Sequence, residues 1–390
     1  MAKRIALECS HAISLAVKLA NVDVIAAYPI TPQTHIVERL SEYVADGELD
    51  AEYINVESEH SAMSACIGAS AVGARCFTAT AGQGLALMHE MLFIAAGNRL
   101  PIVMAVANRC LSPNLSIWGD QSDMMASKDC GWIQMYGENA QEVFDLTLQA
   151  FRIAEDERVL LPVAVNFDGF YVTHVIESLT VLEQEEVNRF LPPRRKAKYT
   201  LHPDNPTTWG PIGLPDIQTE LKYQLEKAIQ NSKKVIKEVW REYGEISGRY
   251  YDVFEPYRLE DAEVAILMMG GHCGTARIAV DRLREKGLKV GLIKLRLFRP
   301  FPFEELVEAT KHLKALAVVD KAFSPGGFGG PIFSEVRSAF YDLDVKPRIV
   351  GFIAGLGGRD IRVDEFMGLA EKVLRGEKIE KNYVFLQVRE

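Results

Sequence analysis

Short apolar runs alternate with longer segments of helical spacing over the first half of the chain. Several runs are rich in β-branched residues and apolar on both faces, which is typical of strands in a parallel sheet that helices cover on both sides. The predicted strands cover residues 22–28, 51–56, 74–80, 100–108 and 160–168, and the predicted helices cover residues 58–73, 84–98 and 140–157. This alternation predicts an α/β unit whose ligands bind at the carboxyl ends of the strands.

The second half of the chain begins with a change in composition. Residues 190–216 contain six of the 17 prolines and show little periodicity, so we expect an extended crossing segment. Residues 217–246 then have the pattern of a long amphipathic helix, with an apolar face formed by Leu221, Leu225, Ala228, Val235 and Val239. A second alternation follows, with predicted strands at 262–271, 287–298, 313–320 and 346–355. We therefore predict three regions, at residues 1–190, 191–257 and 258–390.

Composition and charge exclude several classes of protein. Hydrophobic residues make up 48% of the 390 residues and charged residues 25%, as in ordinary globular domains. The net charge of -9, without any basic block, is a poor match for nucleic acid or an anionic membrane surface. The N-terminus lacks the form of a signal peptide, and no apolar run is long enough to span a bilayer. We expect a cytoplasmic protein that binds neither nucleic acid nor membrane.

The cysteines and histidines do not have the spacing of a metal site. None of the six cysteines forms a CxxC pair, which zinc and iron–sulfur sites commonly use. None of the eight histidines lies in an HExxH or HxH motif. We therefore expect no metal ion on this chain, and largely buried thiols that a reducing cytoplasm keeps unoxidised.

Two loops point to binding or chemistry. The segment AYPITPQT (27–34) places Thr31 between Pro29 and Pro32, and prolines this close fix the backbone between them. Such a loop can hold one side chain in place. The segment GGHCGTA (270–276) follows a predicted strand and opens a predicted helix, as a phosphate-binding loop does. It has neither of the common nucleotide-binding glycine spacings, which favours close backbone packing over nucleotide binding.

Four segments of the first half carry a resemblance: AYPITPQT, VESEHSAMSACIGASAVGAR, TATAGQGLALMHE and RLPIVMAVANR. In these segments the chain resembles the alpha subunit of pyruvate:ferredoxin oxidoreductases (pyruvate synthases) of the multi-subunit archaeal and bacterial type. The resemblance continues through PTTWGP, LRLFRPFP and GLGGRD, and so covers nearly the whole chain. It implies a thiamine-diphosphate-binding fold, in which a pyrimidine-binding domain on a parallel sheet precedes a smaller α/β domain like the carboxyl-terminal domain of transketolases.

The resemblance implies an oxidoreductase of anaerobic metabolism that uses thiamine diphosphate. The family converts pyruvate reversibly to acetyl-CoA and CO2, using coenzyme A and passing electrons to ferredoxin. Its diphosphate and Mg site needs a GDG motif and a distant Asn-Asn, whereas this chain has only GDQSD at 119–123. We therefore expect a hetero-oligomer that is active only with partner subunits. A beta subunit would supply the diphosphate-binding half and an iron–sulfur cluster, and gamma and delta subunits would complete the complex.

The resemblance also assigns residues to the site. Glu59 would bind N1′ of the aminopyrimidine and drive it to the imino tautomer, so that the cofactor's own amino group can remove the proton at C2. Its neighbour Glu57 is the residue most easily confused with it. Arg109 would bind the carboxylate of the 2-oxo acid, and Thr31 would donate to its oxo group or carboxylate. The cofactor would also contact Tyr28, Pro29, Ile30, Gly82 and Gln83.

Other interpretations remain open at this stage. The alternative for Glu59 is a first-turn glutamate that the helix dipole favours, for Arg109 a surface charge, and for Thr31 a turn residue. Alignment with the family motifs favours the site assignment for all three. Relatives often carry serine at the position of Gly82, which leaves the hydrogen bonding of that loop open. The substrate could instead be 2-oxoglutarate, a branched-chain 2-oxo acid or oxalate, although TAGQG in place of TSGPG favours pyruvate. A non-catalytic scaffold subunit is the remaining alternative, and the presence of all three site residues argues against it.

Overall fold

The first unit alternates strands and helices, as the sequence predicts. The computed structural model describes residues 3–193 and 200–389. The strands of this unit are β1 (Lys3–Glu8), β2 (Val24–Ala27), β3 (Glu52–Asn55), β4 (Cys76–Thr80), β5 (Ile102–Asn108), β6 (Ile133–Tyr136), β7 (Val163–Asp168) and β8 (Ile176–Val181). Its helices are α1 (Cys9–Leu19), α2 (Thr34–Ala45), α3 (Glu59–Ala71), α4 (Gly82–Leu87), α5 (His89–Gly97), α6 (Ser122–Ala126), α7 (Ala140–Ala154) and α8 (Gln184–Phe190). The five predicted strands are confirmed, and the predicted helix at 84–98 is divided into α4 and α5.

A long helix, α9 (Gln218–Ser247), connects the two units and confirms the predicted amphipathic helix to within one residue at each end. Of its predicted apolar face, Ala228, Val235 and Val239 are buried, whereas Leu221 near its start is exposed. The buried carboxylate of Asp145, on α7, accepts a hydrogen bond from Tyr243 Oη of α9 at 2.5 Å. Arg249, just after the helix, donates to the same carboxylate through Nε at 2.6 Å. These contacts fix the end of α9 against the first unit.

The second unit repeats the alternation on a smaller scale. Its strands are β9 (Phe254–Tyr257), β10 (Val264–Met268), β11 (Val290–Leu295), β12 (Leu297–Arg299), β13 (Ala315–Asp320), β14 (Arg348–Ile353) and β15 (Tyr383–Phe385). Its helices are α10 (Cys273–Glu285), α11 (Phe303–Thr310), α12 (Pro331–Phe340) and α13 (Val363–Leu374). The sheet has the order β15-β14-β13-β10-β11-β9 and is parallel except at β9.

The main sheet of the first unit has the order β12-β6-β7-β5-β4-β2-β3. In this sheet all pairs between strands of the first unit are parallel, and every residue of β5 and β7 is buried. Helices α1 and α7 contribute to the apolar cluster on one face, and α3 and α5 contribute to the cluster on the other. The carboxyl ends of the central strands therefore open at one edge between two helical layers.

The edge strand β12 comes from the second unit, which the sequence did not predict. Residues 287–298 were predicted as one strand, but the chain turns at Arg296 and divides it into β11 and β12. The backbone carbonyl of Arg296 accepts a hydrogen bond from Tyr136 N at 2.8 Å, and β12 then pairs antiparallel with β6. The prediction of a single strand was wrong because both halves are apolar and buried, each in a different sheet.

A two-stranded antiparallel sheet of β1 and β8 lies beside the main sheet. None of the described helices is long and apolar enough to cross a membrane. The six cysteines form no disulfide in the structure; five are buried and Cys110 is partly buried.

Candidate functional site

The loops that follow β2, β4 and β5 meet at the carboxyl edge of the main sheet. Thr31 and Arg109 lie on the loops after β2 and β5, and Gly82 begins α4 just after β4; the sequence assigned all three to the site. Arg109 Nη1 donates to the backbone oxygen of Thr31 at 3.0 Å, although the two residues lie 78 positions apart in the chain. The fold thus brings these three loops together.

Glu59 begins α3, and Ser58 caps the helix by accepting a hydrogen bond from Ser61 N at 3.2 Å. The side chain of Glu59 is nearly buried, with 5% of the residue exposed. Its carboxylate lies against the backbone of α4, since a Cβ on Gly84 would stand only 2.3 Å from Glu59 Oε1. A glycine at 84 is therefore required for this position of the carboxylate.

Glu57 has a different environment from Glu59. It is exposed, and its carboxylate accepts a hydrogen bond from the hydroxyl of Ser61, which lowers the pKa of Glu57. Of the two neighbouring carboxylates, only Glu59 faces the interior edge where the loops meet.

Arg109 lies at the end of β5 and is 6% exposed. Its Nε donates to Ser116 O at 3.0 Å, and its Nη1 donates to Thr31 O. Within the described residues, its Nη2 group has no hydrogen-bond acceptor. A buried guanidinium with an unused edge suits a carboxylate ligand, because charge-assisted hydrogen bonds are strongest away from water.

Gly82 accounts for part of the position of Arg109. Its φ of +48° lies in the left-handed region that glycine adopts readily, and a Cβ there would stand 2.9 Å from Arg109 Cδ. A serine with this backbone would displace the arginine side chain. Gly82 is thus matched to the observed position of Arg109.

Thr31 is exposed in the turn that precedes α2, and the Thr31–Pro32 peptide bond is cis. A hydrogen bond within the turn stabilises it, because Gln33 Nε2 donates to Tyr28 O at 2.8 Å. Among the described residues the hydroxyl of Thr31 has no hydrogen-bond partner, so it is available to a ligand. Tyr28 and Pro29 are also exposed here, and Ile30 is partly buried.

Asp123 connects the loops through its carboxylate, although it is not among the site residues predicted from the sequence. Its fully buried carboxylate accepts hydrogen bonds from Gly82 N and Arg109 N at 2.9 Å each, and also from Asn108 Nδ2 and Met124 N. Burial raises the pKa of Asp123 to about 6, although these hydrogen bonds act in the opposite direction. In the sequence its only distinction is its place at the end of GDQSD.

The residues present fit the aminopyrimidine side of thiamine diphosphate. Both polar atoms of the Gln83 amide are buried without a partner among the described residues, beside the Gly84 backbone on which Glu59 rests. An unsatisfied buried amide is costly unless a ligand completes it. The diphosphate end is different: Asp120 of GDQSD accepts hydrogen bonds from Ser122 N and Gly357 N, both at 2.9 Å, so this segment is used within the fold.

The glycine-rich segment at 270–276 packs against the first unit. Asp168, at the end of β7, accepts a hydrogen bond from Gly271 N at 2.7 Å and pairs with buried Lys321 at 2.8 Å. A Cβ on Gly270 would stand 2.6 Å from Asp168 Oδ2. The Asp168 carboxylate thus lies directly against these glycines, which supports close packing as the reason for them.

Comparison with known proteins identifies the family. The profile for the thiamine-diphosphate-binding region of pyruvate flavodoxin/ferredoxin oxidoreductases matches residues 15–241, and that for core domain II of pyruvate:ferredoxin oxidoreductase matches residues 262–366. The pyruvate synthase subunit PorA of Methanocaldococcus jannaschii is 51% identical over 364 residues, covering 93% of this chain and 92% of that protein. The ketoisovalerate oxidoreductase subunit VorA of Pyrococcus horikoshii is 48% identical, covering 95% of each.

Two solved structures share the fold. A 2-oxoglutarate:ferredoxin oxidoreductase from Magnetococcus marinus matches 95% of this chain with a TM-score of 0.73 and 20% identity, and this chain spans 65% of that one. A split-gene transketolase matches 96% of this chain and 99% of its own length, with a TM-score of 0.55 and 13% identity. The predicted thiamine-diphosphate-binding and transketolase-like α/β fold is therefore confirmed. By its sequence profile, its relatives and its fold, the chain belongs to the pyruvate:ferredoxin oxidoreductase family.

Proposed function

We propose that the chain is the alpha subunit of a pyruvate:ferredoxin oxidoreductase, which converts pyruvate reversibly to acetyl-CoA and CO2 and passes electrons to ferredoxin. The observation that carries the proposal is the nearly buried guanidinium of Arg109, whose unused edge lies beside the Thr31 loop. The 51% identity with a pyruvate synthase subunit supports pyruvate as the substrate.

Each site residue has a defined task in this proposal. Thiamine diphosphate, when bound, supplies the electron sink for decarboxylation. Glu59 holds and exchanges a proton at N1′ of the aminopyrimidine. Arg109 binds the substrate carboxylate, and the Thr31 hydroxyl donates to the oxo group or carboxylate. The cofactor contacts come from Tyr28, Pro29, Ile30, Gly82 and Gln83.

Partner chains complete the site in this proposal. A beta subunit supplies the diphosphate-binding half with its Mg ion and an iron–sulfur cluster, and gamma and delta subunits connect the site to ferredoxin. Exposed apolar residues beside Arg109 support a docking partner here: Leu115 is 77% exposed and Trp118 is 53% exposed. We further propose that the complex is cytoplasmic and uses coenzyme A. We also propose that this chain consists of three regions, at residues 1–190, 191–257 and 258–390.

A second candidate is the same chemistry on a branched-chain 2-oxo acid, because a ketoisovalerate oxidoreductase subunit is 48% identical. The discriminating experiment is ferredoxin reduction by the purified complex with pyruvate, 2-oxoisovalerate, 2-oxoglutarate and oxalate in turn. Highest kcat/KM with pyruvate supports the main proposal. Highest kcat/KM with a branched-chain acid would replace it by the second candidate, and no activity with any acid would favour a scaffold subunit.

We predict that the purified chain alone is inactive and binds thiamine diphosphate weakly. The reason is that Asp120 and Asp123 are committed to contacts within the fold, so the chain has no diphosphate motif to offer. Addition of the iron–sulfur-containing partner chains should restore pyruvate-dependent electron transfer. Activity of this polypeptide in a sample free of partner chains would contradict the prediction.

A further inference from the structure

Glu8, His11 and His35 form a compact cluster away from the residues assigned to the reaction. Glu8 ends β1, His11 lies in the first turn of α1 and His35 lies in the first turn of α2. One potential ligand atom from each of the three residues lies within 4.8 Å of the other two. His35 Nδ1 and Glu8 Oε1 are 2.7 Å apart, and the rings of His11 and His35 have centroids 6.1 Å apart.

This geometry is close to that of a zinc site with three protein ligands. Zinc bound by imidazole nitrogen and carboxylate oxygen in a tetrahedral arrangement holds its ligand atoms about 3.3 Å apart. The cluster reaches that spacing if the Glu8–His35 pair opens slightly and the ring of His11 moves inward. All three ligands are partly buried.

The charges around the cluster favour the binding of a cation. A cavity of about 500 Å³ adjoins the cluster and is lined also by Glu38 and Glu42. The one basic residue of its lining, Arg39, is already paired with Glu42 at 2.6 Å and lies over the ring of Tyr43 at 4.4 Å.

We propose that Glu8, His11 and His35 bind a divalent transition metal ion of the zinc class, with a water from the cavity in the fourth position. The expectation of no metal rested on spacing along the chain, but these ligands come from two distant segments. The ion would join the end of β1 and the start of α1 to α2. Because α2 follows the Thr31–Pro32 turn directly, the ion would stabilise that turn from outside the reaction site.

The test is a titration of the full chain, stripped with a chelator and kept reduced, with Co²⁺ and then with Zn²⁺. We expect a saturable Co²⁺ spectrum of a four-coordinate nitrogen and oxygen site, loss of that spectrum as Zn²⁺ displaces the ion, and a higher Tm with either ion. His11→Gln and Glu8→Gln should each weaken Co²⁺ binding at least ~10-fold. His202→Gln is the matched control, since among the described residues His202 pairs with the Asp204 carboxylate at 3.7 Å and belongs to no cluster of three ligands.

Three results would overturn the proposal. Absence of saturable Co²⁺ binding would mean that the cluster is only an ion pair between the end of β1 and α2. A thiolate-to-cobalt charge-transfer band would place the ion on a cysteine, and equal losses in His202→Gln and His11→Gln would show non-specific binding. If His11→Gln fails to unfold cooperatively without metal, His35→Gln decides: weakened binding supports the site, and unchanged binding refutes it.

Discussion

At the residue scale, two glycines determine where the two charged groups of the site can lie. Gly84 leaves the space that the Glu59 carboxylate occupies, and Gly82 leaves the space beside the Arg109 side chain. A Cβ at either position would stand within 3 Å of the neighbouring side chain, which is too close for a real contact. The two glycines of the AGQG loop are therefore better explained by the close contacts with Glu59 and Arg109 than by hydrogen bonds within the loop.

Glu59→Gln should suppress proton–deuteron exchange at C2 of bound thiamine diphosphate by more than the ~10²–10⁴ typical of general acid–base catalysis. Glutamine keeps the size and polarity but cannot exchange a proton with N1′. Glu57→Gln is the control, and it should cost little because Glu57 is exposed and bonded to Ser61. Fast exchange in Glu59→Gln with slow exchange in Glu57→Gln would reverse the assignment.

Arg109→Ala should lower kcat/KM for pyruvate by a factor that corresponds to ~2–4 kcal/mol of lost transition-state stabilisation. This is the range for losing a charge-assisted contact in a site that excludes water. Binding of thiamine diphosphate should persist, because the proposed role of Arg109 is toward the substrate. The measurement is steady-state ferredoxin reduction by the reconstituted complex, with cofactor affinity measured separately. Wild-type efficiency in this variant would show that another group binds the carboxylate.

At the element scale, Asp123 on α6 joins the end of β5 to the start of α4. Its carboxylate accepts the backbone N–H of Gly82 and of Arg109, so both loops depend on one acceptor. Loops that carry binding groups need such a fixed support, since small displacements of a ligand contact weaken it strongly.

Asp123→Ala should destabilise the fold by about 2–4 kcal/mol, because it leaves buried N–H groups without an acceptor. It should also raise the KM for pyruvate by moving Arg109. Asp123→Asn keeps the shape and should recover part of both losses. Asp129→Asn is the matched control, because the Asp129 side chain is 67% exposed. An Asp123→Ala variant with unchanged Tm and KM would show that the loops hold their positions without this carboxylate.

At the scale of the whole molecule, buried ion pairs join the two units. Glu142 of α7 contacts Arg296, and Lys294 of β11 lies 2.7 Å from Glu138. Burial alone would raise the pKa of Glu142, but the charges of Arg296 and Lys294 lower it to about 2. Such pairs break at great cost when one partner is neutralised, because the other charge stays buried.

This network makes the contact between the units sensitive to acid. The pKa of Glu142 is about 2 in the folded chain against 4.5 for an ordinary glutamate. Its stabilisation is therefore fully present above about pH 4.5 and is lost as the pH falls toward 2, with a magnitude of about 3 kcal/mol. Denaturant unfolding across this pH range should show the loss, and Glu142→Gln should be less stable at neutral pH with a flatter pH dependence. An unchanged slope in the variant would assign the acid sensitivity to other carboxylates.

The sequence by itself determined the order and type of the main elements, because the spacing of hydrophobic residues depends on the local secondary structure and can be read along the chain. Through the family resemblance it also proposed Thr31, Glu59 and Arg109 as site residues, in motifs that lie at strand ends. Tertiary structure alone decided which distant groups meet. Asp123 reaches Gly82 across 41 positions, and Glu8 reaches His35 across 27. Neither separation leaves a pattern in the chain. Tertiary structure also decided that β12 joins the main sheet of the first unit, because a buried apolar run does not specify which sheet it belongs to.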